Sequence, residues 1–166
     1  MFNLTPTLTA TLTAALLITT AAVAKTDEMV SSIEVSIDLD AVTNKLAAHR
    51  FATIADDLKN VLTTQLVDRI GTTGTKITID LSEVELSNSY TEVVGSADTR
   101  LVGDVKISDV TKNEDAKVFV LTIDVNQAKT ALPADFDMAS LSASSTEYYQ
   151  AMISAFAKSV VSELNK

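Results

Sequence analysis

The chain contains no cysteine, no tryptophan and a single histidine among its 166 residues. The missing thiols exclude a disulfide scaffold, cysteine catalysis, thiolate zinc sites and acylation at a lipobox cysteine. Positive charge is also sparse: the arginines are scattered, no basic run exceeds one residue, and the net charge is −9. Nucleic acid and anionic membrane surfaces are therefore poor partners, because both require clustered Lys and Arg.

Glycine and proline are scarce as well, at 4 and 2 residues, whereas hydrophobic residues make up 46% of the chain. This balance excludes a disordered or fibrous polymer. A domain of about 140 residues can bury roughly two-thirds of its unfolded surface and needs no metal or disulfide to fold. We therefore expect a single α+β domain over residues 25–166.

The first 24 residues carry no charged side chain, and the first one in the chain is Lys25. Residues 12–24 form a short apolar stretch that ends in Ala22-Val23-Ala24, which is typical of a signal peptide cleaved before Lys25. The start of this segment lacks the usual basic residues, so a retained transmembrane anchor and a disordered cytosolic leader are alternatives. An anchor is disfavoured because a membrane span needs about 20 apolar residues. We expect residues 1–24 to be a cleavable signal peptide and the mature protein to be periplasmic or secreted.

Hydrophobic periodicity predicts the element order β-α-β-β-β-α. Strict alternation predicts a strand over residues 32–40, and spacings of 3 and 4 predict a helix up to Ile70 that ends at Gly71. Three further strands follow, over residues 77–86 with a bulge near residues 82–83, over residues 101–107 and over residues 119–125. A capping box, Ser144-x-x-Glu147, begins the closing helix. We expect a four-stranded, mostly antiparallel sheet with the two helices packed on one face and an acidic opposite face.

This pattern resembles small envelope domains of Gram-negative bacteria, namely the amino-terminal domain of the Tol-system protein TolB and related domains of outer-membrane assembly lipoproteins. The resemblance rests on the helix over residues 54–70 that ends at Gly71, the hairpin from residues 100–108 to 118–124 with Gly103 in mid-strand, and the helix over residues 146–164. It covers residues 32–165, and the chain departs from the lipoprotein members in lacking the lipobox cysteine. The resemblance implies a non-catalytic envelope interaction domain.

Few residues are candidates for chemistry. Glu34, Asp38 and Asp40 share one face of the first strand and form a candidate weak cation site, although a solvated acidic face is the simpler interpretation. His49 belongs to no catalytic motif. The Gly71-Thr-Thr-Gly74 segment follows a helix rather than preceding one, so it is a turn and not a phosphate loop. We name no catalytic residue, no cofactor and no cofactor-binding residue.

Tyr148 and Tyr149 are the densest aromatic spot in the chain. Adjacent helical residues point about 100° apart, so one ring should lie in the core and the other should be exposed. An exposed tyrosine can anchor a protein partner. The pair is therefore our candidate partner-binding site, with Tyr148 at its centre.

These observations favour a non-enzymatic exported envelope protein that acts as an interaction or assembly module, binding another envelope protein or itself through an exposed sheet edge and Tyr148. After signal cleavage we expect no membrane contact. The first alternative is a periplasmic carrier of a small apolar ligand held between helices and sheet. Small residues that could leave such room are Ala47, Ala48, Ala151, Ala155 and Ala157. The second alternative is a carboxylate-dependent hydrolase.

Overall fold

The structure, a computed structural model, describes residues 28–38, 52–85, 100–109, 116–135 and 146–166. In chain order its elements are β1 (Val30–Ile37), α1 (Ile54–Gln65), a 3-10 helix (Val67–Arg69), β2 (Thr75–Glu85), β3 (Arg100–Asp109), β4 (Lys117–Asp124), α2 (Val125–Lys129) and α3 (Thr146–Leu164). The predicted signal peptide, Asp40, His49 and Ser144 lie outside the described residues.

The strands form one mixed sheet with the order β1-β2-β3-β4. β1 and β2 run parallel, whereas β2–β3 and β3–β4 are antiparallel. The parallel pair follows from the intervening α1, since a crossover connection is needed to start a second strand in the same direction. The α+β prediction is confirmed, including the antiparallel β3–β4 hairpin and the bulge, which lies between Leu81 and Glu83.

The hydrophobic core lies between one face of this sheet and helices α1 and α3. The sheet contributes alternate residues of each strand, and α3 contributes a stripe that includes the fully buried ring of Phe156. Gly103 makes the close approach of α3 feasible, because a Cβ atom there would lie 3.1 Å from Phe156 Cζ and 3.1 Å from Leu81 Cδ2. The prediction that two helices pack on one face of the sheet therefore describes the observed core.

The predicted strand bounds differ from the observed ones by a few residues, and two boundaries missed a change in the type of structure. The first helix ends at Gln65 and continues as a 3-10 turn rather than as α-helix to Ile70. The predicted fourth strand included Val125, but that residue begins the short helix α2. The cause is a capping box at Asp124, whose side chain accepts hydrogen bonds from the backbone N–H groups of Asn126 (2.7 Å) and Gln127 (3.0 Å).

The opposite face of the sheet is open to solvent. Its residues on β1 and β2 are mainly polar, including Glu34, Ser36, Lys76 and Asp80. Among the described helices, none has the length and hydropathy needed to cross a membrane.

Candidate functional site: the free edge of β4

β4 is an outer strand, and the described residues pair it on one side only, with β3. The β3–β4 register is continuous from Arg100 opposite Asp124 to Ile107 opposite Lys117. No proline, bulge or register shift interrupts β4, so alternate backbone N–H and C=O groups along its second edge point away from the sheet. Such an edge can pair with a further strand.

The side chains of β4 are unusually apolar for an outer strand. On the open face, Val118 is 64% exposed and Val120 is 65% exposed. On the helix side, Phe119 and Leu121 are only half-buried. Four consecutive apolar residues therefore retain solvent contact, which combines the free backbone edge with an apolar surface on each side of it.

The charges beside this edge are balanced. Across the β3–β4 pair, Val118 lies opposite Lys106 and Val120 lies opposite Asp104, and both charged residues are exposed. At the start of the strand, Lys117 Nζ donates a hydrogen bond of 2.8 Å to the backbone oxygen of Glu163 in α3. The acidic excess of the chain is thus not concentrated at β4.

We did not identify this surface from the sequence, although a signal was present. The fourth strand is predicted from the alternation of Phe119, Leu121, Ile123 and Val125, and only Ile123 of these is fully buried. Residues 118–121 read Val-Phe-Val-Leu, an unbroken apolar run that is typical of a strand buried on both faces. β4 lies at an edge, so the same run leaves apolar side chains exposed.

The sequence predicts one core ring and one exposed ring for Tyr148 and Tyr149, and Tyr148 is the core ring. Tyr148 is 1% exposed and belongs to the core, on the stripe that continues through Met152 and Phe156 at four-residue spacing. A buried ring is not an accessible anchor in this structure.

Tyr149 connects two helices. Its ring is half-buried, and its hydroxyl donates a hydrogen bond of 2.7 Å to Asp57 Oδ2 in α1. The same carboxylate oxygen accepts a hydrogen bond of 3.0 Å from Thr53 Oγ1. Burial raises the pKa of the Tyr149 hydroxyl well above its ordinary value, and the hydrogen bond to Asp57 and the negative charge of Asp57 raise it further. Tyr149 therefore serves as an internal link between α3 and α1.

The acidic face of β1 does not form one compact site. Glu34 Oε1 lies 2.7 Å from Lys76 Nζ. Asp38 is four residues further along an extended strand, about 13 Å away, so the two carboxylates cannot share one ion. Within the described ranges no three acidic or histidine side chains come together in a way that could hold a metal. Asp40 lies outside those ranges, and Glu34 and Asp38 alone do not make the predicted site.

A second candidate site is a groove on the helical side of the sheet. It lies between the segment that follows α2 and the first turns of α3. The groove has a volume of about 320 Å³. Its lining is Ala131, Leu132, Pro133, Thr146, Glu147, Gln150, Ala151 and Ser154. The small residues Ala155 and Ala157, which we considered as space for a ligand, are instead packed into the core.

Comparison with known proteins does not assign the chain to a family. No protein-family model matches the chain, and a search of the curated proteins finds no match either. Functional inference therefore rests on the residues and geometry described above.

Proposed function

We propose that this protein is a non-enzymatic, exported envelope protein that works as a protein–protein interaction or assembly module, and that its binding element is the free edge of β4. The observation that carries the proposal is the exposure of Val118 and Val120 on an uninterrupted outer strand. A partner strand would gain backbone hydrogen bonds along the edge and apolar contacts on both sides of it.

Site-specific crosslinking in the native host tests the binding element. A photoreactive amino acid is placed at Val118 or Val120, and the matched control carries it at Ser36, which lies exposed on the same sheet face but on β1. We expect a discrete crosslinked protein band from the β4 positions and none from Ser36. Equal crosslinking at all three positions, or none at any, would contradict a role for β4.

Export is tested by the intact mass of the protein in the extracytoplasmic fraction. We expect the mass of residues 25–166, since the predicted cleavage is before Lys25. The full mass of the 166-residue chain in a cytoplasmic fraction would reject the export part of the proposal and leave the β4 part standing.

The groove favours a second candidate function, the carriage of a small apolar ligand. Its volume of about 320 Å³ lies at the lower end of the range for ligand pockets, about 300–1,000 Å³. Native mass spectrometry of gently recovered protein would then show a bound species of a few hundred daltons, as expected for a small ligand. Ser154→Trp should abolish that adduct by filling the groove, whereas Lys158→Trp, one turn further along α3 and exposed, should retain it.

A further inference from the structure

We infer that the strand received by β4 is β4 of a second copy of this chain, paired antiparallel about a twofold axis at Val120, so that two four-stranded sheets join into one of eight strands. This inference deepens the proposed function and rests on β4 being the binding edge. Three observations support it: the residue pattern of β4, the distribution of charge at its ends, and the charges on the neighbouring strand.

The pattern of β4 is symmetric about Val120. Residues 118–122 read β-branched, large apolar, β-branched, large apolar, β-branched. A twofold axis at Val120 places Val120 against its own copy, Val118 against Thr122, and Phe119 against Leu121. Cross-strand pairs of β-branched and aromatic side chains are favourable, so every central pair is a compatible one.

The ends of β4 also complement each other. Lys117 stands at the start of the strand and Asp124 at its end. In the antiparallel register Lys117 lies opposite Ile123 of the copy, next to Asp124, so the two opposite charges stand at the same end of the pair, on opposite faces of the sheet. A parallel copy would bring like charges together instead, so the charges favour the antiparallel arrangement.

The neighbouring charges tolerate this approach. Asp104 is the β3 residue beside Val120, and in the joined sheet it is three strand spacings from its own copy, about 14 Å. That distance exceeds the Debye length of about 8 Å at physiological ionic strength, so the repulsion is largely screened. Because each chain carries a net charge of −9, association should become tighter as salt concentration rises.

One short strand buries less surface than a permanent dimer requires, so the association is expected to be reversible and concentration-dependent. Sedimentation velocity of the purified domain tests this directly. We expect a monomer–dimer equilibrium that shifts toward dimer between about 50 mM and about 500 mM salt. A monomer at every concentration and salt level overturns the inference.

Val120→Lys would place two positive charges opposite each other at the axis, and we expect it to weaken the dimer by about tenfold or more. Ser36→Lys is the matched control, since it adds the same charge on the other outer strand, and its dimer should match the unmodified protein. Circular dichroism of both variants verifies that each is folded. Equal weakening by both substitutions would overturn the role of β4.

The absence of native cysteine permits a test of register. Two Val120→Cys side chains would lie directly opposite across the axis, where Cα atoms of antiparallel strands are about 4.5–5.5 Å apart, within disulfide range. Two Val118→Cys residues would be about 13 Å apart, because each opposes Thr122 of the other copy. Mild oxidation should therefore link Val120→Cys rapidly and Val118→Cys poorly. Equal rates would overturn the proposed register.

The two proposals can fail separately. If the purified domain stays monomeric while Val118 and Val120 crosslink to a different protein in the host, self-association is overturned and the binding function of β4 stands. If β4 crosslinks to nothing in the host and the purified domain is monomeric, both are overturned.

Discussion

The two outer strands of the sheet, β1 and β4, differ in the side chains that they expose on the open face: polar on β1 and apolar on β4. On the open face β1 carries Glu34 and Ser36, and both are engaged with β2: Glu34 pairs with Lys76, and Ser36 Oγ donates hydrogen bonds to Ile79 O (3.3 Å) and Asp80 Oδ1 (3.1 Å). On the same face β4 carries Val118 and Val120.

This difference concerns the two outer strands of the described sheet. Charged and polar side chains discourage the addition of another strand, whereas an exposed apolar strand invites it. The chain has the means to protect an edge and uses it on β1. Among the described residues the β4 edge has no such polar protection, which is why we propose it as the binding edge.

The largest loss in the free energy of unfolding should come from substitution on the buried side of β4. Ile123→Ala removes a side chain that is 1% exposed, and we expect it to lower the free energy of unfolding by about 2–5 kcal/mol. Val120→Ala, three residues away on the open face, should change it by less than about 0.5 kcal/mol. Urea unfolding at low protein concentration measures both values. Comparable losses would mean that β4 is stabilised through both of its faces.

Substitution at the turn that contacts the start of β1 should lower the free energy of unfolding almost as much. Gly74 has a φ of 122°, and a Cβ atom there would lie 2.4 Å from Met29 O, immediately before β1. We expect Gly74→Ala to cost about 1–3 kcal/mol from backbone strain. Gly71→Ala is its control, because its Cβ atom would lie 3.1 Å from the flexible end of Met29 and at an ordinary contact distance, 3.8 Å, from Thr73 O. Thermal unfolding that ranks Gly71→Ala as the more damaging change would contradict this account.

A polar link also holds the start of β1. Thr75 is fully buried, and its Oγ1 donates a hydrogen bond of 2.6 Å to Glu28 Oε1. Thr75→Val keeps the shape and removes the donor, so we expect a loss of about 1–2 kcal/mol. Thr78→Val, on the open face of the same strand, serves as control. Amide hydrogen exchange should report the loss most strongly in β1 and least in β4.

The Tyr149–Asp57 hydrogen bond joins two helices away from the outer strands β1 and β4, so its loss should affect stability without affecting either edge. Because the folded pKa of Tyr149 lies above the ordinary value of about 10, the folded state favours the protonated hydroxyl. The resulting stabilisation is present below pH 10 and is lost as pH rises above it. Tyr149→Phe should lower stability by about 1 kcal/mol at neutral pH and should flatten the alkaline decline. An unchanged alkaline decline would exclude Tyr149 as its source.

The smallest effect is expected at the surface pair of β1. Glu34 and Lys76 are 57% and 37% exposed in their side chains, so Glu34→Gln should cost no more than about 0.5 kcal/mol. The difference should shrink further at high salt. Unfolding at two salt concentrations measures it, and a salt-independent loss would point to packing rather than charge.

Periodicity was enough to predict the four strands and the two long helices of this fold, but not their arrangement or the short helices. The alternation in β1 and the apolar stripe of α1 are local patterns, and they predicted a strand and a helix correctly. The change of alternation within β2 predicted the bulge near Leu81. The strand order and the parallel β1–β2 pairing depend on where α1 returns the chain, and no local pattern contains that information. The helix α2 was missed because its Asp124-x-x-Gln127 capping signal follows a strand without a break.

The candidate site was harder to predict because it depends on position in the sheet. The run at residues 118–121 suits a central strand as well as an edge strand, and only the strand order distinguishes them. Tyr148 and Tyr149 differ by one helical step, and the sequence did not show which one faces the core. The general expectation of a binding sheet edge therefore came from the sequence, and the choice of β4 came from the structure.

Arg69 brings the two ends of the described fold together. Its Nε donates a hydrogen bond of 2.8 Å to Glu28 O, and its Nη1 donates one of 2.8 Å to Asn165 Oδ1. The first described residue and the next-to-last residue therefore meet at one guanidinium, which is the arrangement of chain ends that circular permutation and domain insertion require.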